Sequence, residues 1–465
     1  MTLAPPEALP ALRVDLPTVE RRAAMPGGFR AGAAAIGIKP SGRPDLAIIA
    51  TLPDDAGRPL PAAAAAIFTP NAFAAAPVRL SKAHLAATEP SGRGGYGWAD
   101  GVVSTSGSAN AATGAAGDAD QDAVADALAR ALGGPIERTL LLSTGLIGTR
   151  LPLDRVGPGI AALVPELAAT DEALDAAAVA LRTTDSVTKV ATTTISLPDP
   201  DGLAVRSVRV SGICKGVGMI HPRMATMLAV VLTDASVDPA LLHAMLRPAA
   251  ARTWNQLSVD GDTSTNDTVF VLASGAAGAA PVRAGSAEAR ALAGAIEAVA
   301  RDLARQQAAD GEGATTLITC QVSGAGDDAD ARAVARSVVS SSLVKAAVHG
   351  RDPNWGRIAG AAGNARLAES AVLEAAGMRA LDAAARGGSA AAVDPDRLRI
   401  AIAGHLVFDG STGGPLDFDR AAARTAMDGP ELLIRLDLGL GDGTGEAFGC
   451  DLTEAYVIEN SEYTT

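Results

Sequence analysis

Residues 215–232 read KGVGMIHPRMATMLAVVL: a lysine, a loop of small residues, the pair Ala225-Thr226, and then an apolar run that has the look of a buried strand. A threonine at the mouth of a buried strand, with flexible backbone upstream, is placed so that its hydroxyl can attack its own preceding carbonyl. Cleavage there would free an α-amino group on Thr226. With an unperturbed pKa of about 7.7–8.0, that amine can act as base for its own hydroxyl, and no histidine is needed. The spacing alone equally suits a threonine that caps or packs the strand, and on these residues by themselves both readings stand.

Working outward, strand-like runs precede this segment at 46–52, 66–69, 102–105, 139–143, 190–197 and 205–213, and helical patterns alternate with them at 121–132, 159–168 and 172–181. The first 25 residues, with four prolines, read as a lead-in. After the central segment come a helix over 239–254, a strand over 269–272, a long helix over 287–309, a strand over 315–322, helices over 329–349 and 367–386, and strands over 398–402, 432–438 and 453–458. The pattern predicts an α/β fold. Aromatic residues are only 3% of the chain, so the core must be built from Leu, Val, Ile and Ala in closely approaching layers.

Lys and Arg number 39 against 52 Asp and Glu, a formal charge of −13 that opposes phosphate backbones and acidic membrane faces, so no nucleic-acid or membrane partner is expected. Cys214, Cys320 and Cys450 are far apart and form no CxxC pair, which suggests neither a disulfide framework nor a zinc site and suits a reducing cytoplasm. The N-terminal stretch carries charges and prolines where a signal peptide needs an apolar core.

Several generic motifs fail on inspection. DGDTSTND (260–267) alternates oxygen side chains as a calcium loop does, but its turn glycine is at the second position and its twelfth position is Val271, so no metal is expected. SVTK (186–189) and SLVK (342–345) match Ser-x-x-Lys without the accompanying motifs, and GLGDGTG (439–445) spells neither GxGxxG nor a P-loop. The histidines show no ligand spacing.

Taken with GFRAGAAAIGIKPSGRPDLAII (28–49), STGLIG (143–148), TTD (183–185), SVDGDTSTNDT (258–268), DGEGAT (310–315), HGRDPNWGR (349–357) and the tail GCDLTEAYVIENSEYTT (449–465), the central segment resembles the ornithine acetyltransferases, the bifunctional glutamate N-acetyltransferases of arginine biosynthesis. The resemblance runs over nearly the whole chain. It implies an N-terminal-nucleophile-like α/β fold of layered sheets flanked by helices. It further implies self-cleavage between Ala225 and Thr226 into chains 1–225 and 226–465, and an α2β2 assembly. Thr226 is then the nucleophile that carries the acetyl group from N2-acetyl-L-ornithine to L-glutamate. Thr144 and Gly145 form the oxyanion hole, and Thr183, Lys215, Thr226, Glu312, Asn460 and Thr465 contact substrate. Thr183 is taken in preference to Thr184. No cofactor is implied, with acetyl-CoA a further co-substrate.

Departures from the family pattern are Thr105-Ser-Gly-Ser108-Ala-Asn110, Arg223 before the MAT triplet, Thr316 after DGEGAT, and a longer stretch between Thr183 and Lys215. They leave open the acceptor range, the use of acetyl-CoA and a paralogue of another biosynthetic pathway. A cleaved-threonine amidohydrolase or aminopeptidase, with water as acceptor, and a processed but silent paralogue are the competing readings.

Overall fold

The computed structural model describes residues 9–221 and 227–461, so Ala225, Thr226 and Thr465 lie outside the described residues. The apolar run after Thr226 forms the strand Leu228–Thr233, in the interior of a six-stranded sheet. Across that sheet the order is Tyr96–Ala99, Ala62–Phe68, Thr268–Ala273, Leu228–Thr233, Val205–Lys215 and Lys189–Pro198. All six residues of Leu228–Thr233 are buried, because both faces of the sheet are covered.

The face carrying Leu228, Val230 and Leu232 packs on Ala47, Ile49, Val102, Leu140 and Leu142 of a second sheet. That sheet has four strands, Phe29–Ala34, Leu46–Thr51, Gly101–Ser108 and Thr139–Leu146. The opposite face, with Ala229 and Val231, lies on Leu242 and Leu246 of the helix Pro239–Arg252 and on Ile296, Val299 and Leu303 of the helix Ala287–Ala309. Outside the four-stranded sheet, Ile48, Val103 and Leu141 meet Val124 and Leu128 of the helix Gly114–Leu132 and Ile160 of the helix Leu153–Leu163. The layers therefore run helix, sheet, sheet, helix. The two sheets approach across small side chains such as Ala62, Ala64 and Ala66, which explains the alanine-rich, aromatic-poor composition.

A third sheet of seven strands, drawn entirely from residues 257–450, packs against the helices Asp328–Ser340, Ser342–His349 and Trp355–Gly363. The six-stranded sheet, by contrast, interleaves strands from both sides of residue 225. Leu228–Thr233 pairs antiparallel with Val205–Lys215, and Thr268–Ala273 pairs antiparallel with Ala62–Phe68. Each large apolar side chain buried at these seams contributes about 1.5–3 kcal/mol, so a cut at residue 225 would not by itself separate the fragments.

Several expectations are corrected. The run at 453–458 is not a strand but the start of the helix Glu454–Ser461, because the Thr453 hydroxyl accepts the Tyr456 N–H at 3.2 Å and none of the helix is buried in a sheet. The predicted helix over 329–349 breaks at Ser341, which is extended and caps the second piece by accepting from Val344 N. Residues 367–386 form two short helices, Ser370–Ala375 and Ala380–Arg386, on either side of Gly377 at φ +103°. The helix expected at 159–168 is Leu153–Leu163 and carries Pro158 inside it, the burial of Val156 and Ile160 outweighing the lost hydrogen bond. The lead-in is docked rather than loose: Leu9 is buried against Ala401 and Leu406, and Glu20 bridges to Thr192.

Candidate active site

Strand register builds the site. Lys215, the last residue of its strand, lies opposite Leu228, which is two residues beyond Thr226 in the sequence. Its Nζ donates to Thr144 Oγ1 at 3.1 Å, which joins the end of an internal strand of the six-stranded sheet to the end of Thr139–Leu146 in the four-stranded one. With its oxygen accepting from the lysine, the Thr144 hydroxyl retains its own proton to donate elsewhere. At this end the parallel ladder slips between Gly107 and Ser108, an irregularity of the kind that re-aims a strand's side chains. Gly145 sits there at φ +132°, and an added Cβ would fall 2.3 Å from the carbonyl carbon of Gly107, so no other residue fits.

The turn is clamped from a third element. Asn266, in the SVDGDTSTNDT motif, donates through Nδ2 to Ala109 O at 2.7 Å and to Ser143 O at 2.8 Å, and its Oδ1 accepts from Thr265 Oγ1.

Glu312 forms the other side. Its N–H donates to Val217 O at 2.8 Å, and its carboxylate lies so close to the loop that a Cβ on Gly218 would overlap Oε2 at 2.2 Å. The carboxylate accepts from Thr184 Oγ1 at 2.9 Å and from Asn460 Nδ2 at 3.0 Å. It is therefore Thr184 whose hydroxyl reaches Glu312. Thr183, the member of the pair favoured on sequence, sits beside it with its backbone engaged: its N–H donates to Asp185 Oδ2 and its carbonyl accepts from Arg43. Thr144, Gly145, Lys215, Glu312 and Asn460 are thus brought around the 215–218 loop, while Ala225, Thr226 and Thr465 lie outside the described residues.

Beneath the loop is a buried charge network that sequence reasoning missed. Asp185 accepts from Lys189 Nζ at 2.7 Å and from the N–H of Gly216 at 2.8 Å, and Lys189 also meets Asp310 at 2.5 Å. Burial opposes the charge on Asp185, but Lys215, Lys189 and the Gly216 N–H outweigh it and hold the carboxyl at about 2. Burial likewise pulls Lys215 below the ordinary lysine value, against the opposing pull of Asp185 and Glu312. Lys39 is lowered to about 8 by burial and by the neighbouring cations Arg43 and Lys215, and its Nζ donates to Pro44 O and Ala180 O. Asp185 and Asp310 stand inside the TTD and DGEGAT motifs, and that adjacency to expected contact residues was the available signal.

The remaining motifs meet at Asp451. Its carboxylate accepts from Thr315 N, Thr315 Oγ1 and Thr316 N and pairs with His349 Nδ1 at 3.1 Å, tying DGEGAT, HGRDPNWGR and the tail together. Their role there is to fix the segment that carries Glu312 and the helix that carries Asn460.

A hydroxyl donor at a strand-end turn, with a lysine and a carboxylate across from it, can hold a zwitterionic amino acid and stabilise an oxyanion on its acyl group. Two facing sheets between helix layers, with that site at the ends of their strands, define an enzyme that transfers acyl groups to and from amino acids.

The comparisons give the particular family. The ArgJ family model matches residues 30–465. The arginine biosynthesis bifunctional protein ArgJ of Gloeobacter violaceus is 42% identical over 440 residues, covering 94% of this chain and 96% of that protein. Its namesake from Synechocystis is 41% identical over 97% of this chain and the whole of that protein. A crystal structure of the ornithine acetyltransferase from Mycobacterium tuberculosis, complexed with ornithine, is 35% identical and covers 44% of this chain and 97% of its own, with a TM-score of 0.37. This chain belongs to the ArgJ family.

Proposed function

We propose that the enzyme cuts itself between Ala225 and Thr226 and then moves the acetyl group of N2-acetyl-L-ornithine to L-glutamate through an acetyl ester on Thr226. The observation that carries this is the convergence of Thr144, Lys215 and Glu312 around the loop that leads to Thr226. In the first half-reaction the Thr226 hydroxyl attacks the acetyl carbonyl while the Thr226 amine takes its proton. The Thr144 hydroxyl and the Gly145 N–H donate to the oxyanion. Collapse breaks the C–N bond, and the proton leaves on the ornithine α-amine. In the second, the glutamate α-amine attacks the ester, the C–O bond breaks and Thr226 recovers its proton. Lys215 and Glu312 supply complementary charges for the amino-acid backbone, and Thr183 and Thr465 complete the substrate contacts.

Acetyl-CoA is proposed as a second donor to the same ester. The fragments 1–225 and 226–465 are assigned to an α2β2 assembly, and three cysteines that are all free and buried suit a cytoplasmic setting. Among the described residues no helix is long and apolar enough to cross a membrane.

The test is ornithine release from N2-acetyl-L-ornithine with and without glutamate. Parallel double-reciprocal lines and an acetyl adduct on the 226–465 fragment with donor alone are expected. Steady acetate release without glutamate would instead identify a hydrolase. Activity should fall as pH drops below the pKa of the Thr226 amine, because the protonated amine cannot accept the hydroxyl proton.

Thr144→Ala removes one oxyanion donor, and turnover should fall by about ten- to a thousandfold while the Michaelis constants change much less. A change confined to the Michaelis constants would make Thr144 a ground-state contact.

Extending the chain end should separate processing from catalysis. Asn460 reaches Glu312 from an exposed helix only a few residues from the terminus. A C-terminal affinity tag is expected to weaken use of both amino acids yet leave cleavage largely intact, since cleavage acts on the protein's own peptide. Identical steady-state kinetics for C-tagged and N-tagged enzyme would remove Asn460 and Thr465 from the site.

A further inference from the structure

A cavity of about 1080 Å³ lies between the helices Asp328–Ser340 and Trp355–Gly363 and the segment that follows them. That is the upper end of the range that holds drug-sized ligands. None of Thr144, Lys215, Glu312 and Asn460 lines it. His221, five residues ahead of Thr226, does.

The wall is strongly cationic for a chain of net charge −13: Arg332, Arg336, Arg357 and Arg366 line it against a single carboxylate, Glu369. Arg332, Arg336 and Ser340 follow one another at four-residue spacing and so share one helix face. Arg357 and Arg366 come from the other side. Arg357 spends one donor on Leu343 O at 2.8 Å and Arg366 one on Gly388 O at 3.3 Å, which leaves further guanidinium N–H groups on each. Arg336 and Glu369 are each engaged within the protein. Two neutral groups on the wall have unmet hydrogen-bonding capacity among the described residues, Ser340 Oγ and Gln256 Oε1, and Gln256 is only 6% exposed. A buried amide oxygen left without a donor is costly, which marks a place where a ligand N–H or O–H fits.

We propose that this cavity binds an organic polyphosphate of about nucleotide size, its phosphates held between Arg332 and Arg336 on one wall and Arg357 and Arg366 on the other. Planar guanidiniums match phosphate oxygens in pairs, and the volume and the orphaned Gln256 oxygen call for an organic portion as well. His221 puts the ligand beside the end of the 215–221 loop. The inference rests on the cavity and not on the acetyl-transfer chemistry.

The test is calorimetric titration of the purified wild-type protein with tripolyphosphate, ATP and coenzyme A, with glutamate and acetate as controls at equal ionic strength. Saturable binding of ATP or coenzyme A, tighter than that of tripolyphosphate, near one per chain and weakening as salt rises, is expected, and binding of tripolyphosphate alone would overturn the organic portion of the proposal. Joint replacement Arg357→Gln and Arg366→Gln should weaken it about tenfold or more. Gly360→Tyr should block it: Gly360 lines the cavity, an added Cβ there meets nothing within 4 Å, and tyrosine is a better helix former than glycine, so the variant should fold. Tighter binding of coenzyme A than of ATP supports the proposal and identifies a thioester donor's carrier. Equal binding supports it and identifies a phosphate-directed effector. No saturable binding of any of the three, or binding unchanged in Gly360→Tyr, overturns it while leaving acetyl transfer to its own test.

Discussion

Thr226→Ala is expected to leave the protein as a single full-length chain with no measurable acetyl transfer, where the wild type shows two fragments under denaturing conditions. The substitution removes the oxygen that attacks the Ala225 carbonyl and later carries the acetyl group, so both functions are lost together. Thr226→Ser, which keeps a hydroxyl, should restore cleavage and part of the activity. The native size should not change between wild type and Thr226→Ala, because the six-stranded sheet holds strands from both fragments side by side. Intact-mass analysis showing only unbroken wild-type protein would sink the self-processing claim, and a fully active Thr226→Ala enzyme would sink the covalent route.

Asp185→Asn should be the most damaging substitution away from the nucleophile. Asp185 and Lys189 are both fully buried, and the carboxylate also holds the N–H of Gly216 in the loop beside Lys215. Breaking a buried ion pair costs about 3–5 kcal/mol when the remaining charge has no other partner, and because Lys189 keeps Asp310 the cost here falls toward the low end of that range. The midpoint of thermal unfolding should fall by several degrees or more, and activity should drop with it as Gly216 and Lys215 lose their anchor. The pair also sets an acid limit. The folded carboxyl sits at about 2, below its unfolded value of about 3.9, so its contribution is present in full above pH ~5 and is lost as pH falls through about 2. Asp185→Asn should flatten that part of the stability profile. An Asp185→Asn protein with wild-type melting and wild-type acid sensitivity would mean the network contributes nothing net.

Much of the fold was legible because its strands are short, apolar runs between turn signals. Leu228–Thr233, Lys189–Pro198 and Thr268–Ala273 all lie within a residue or two of their predicted places. The misses have local causes. Phe29–Ala34 and Gly443–Cys450 are strands rich in glycine and alanine, and their ladders rather than their side chains place them. Glu454–Ser461 looked like a strand because three consecutive apolar residues, Tyr456 to Ile458, carry no period, and only the Thr453 cap reveals the helix. At the site, Thr183 and Thr184 are adjacent and chemically identical. Which of the two side chains reaches Glu312 depends on backbone direction in the bend between the helix Asp171–Leu181 and the strand Lys189–Pro198, which composition does not encode, and Thr183 remains the proposed substrate contact.

The sequence by itself determined the chemistry: a threonine after a small-residue loop, a turn glycine with a hydroxyl before it, a lysine, a glutamate and an asparagine, together with the family to which they belong. Local side-chain types and spacing suffice for that, since each group's reactivity is its own. The tertiary structure alone decided which of these groups meet. The Lys215–Thr144 contact spans two sheets, the Glu312–Asn460 contact joins a loop to the last helix, and the Asp185–Lys189–Asp310 charges tolerate burial only because the fold sets them within 2.5–2.7 Å of one another. The arginine-lined cavity belongs to the same class, because only packing sets Arg332 and Arg336 of one helix across from Arg357 and Arg366 and closes the wall with His221 and Gln256 from earlier in the chain.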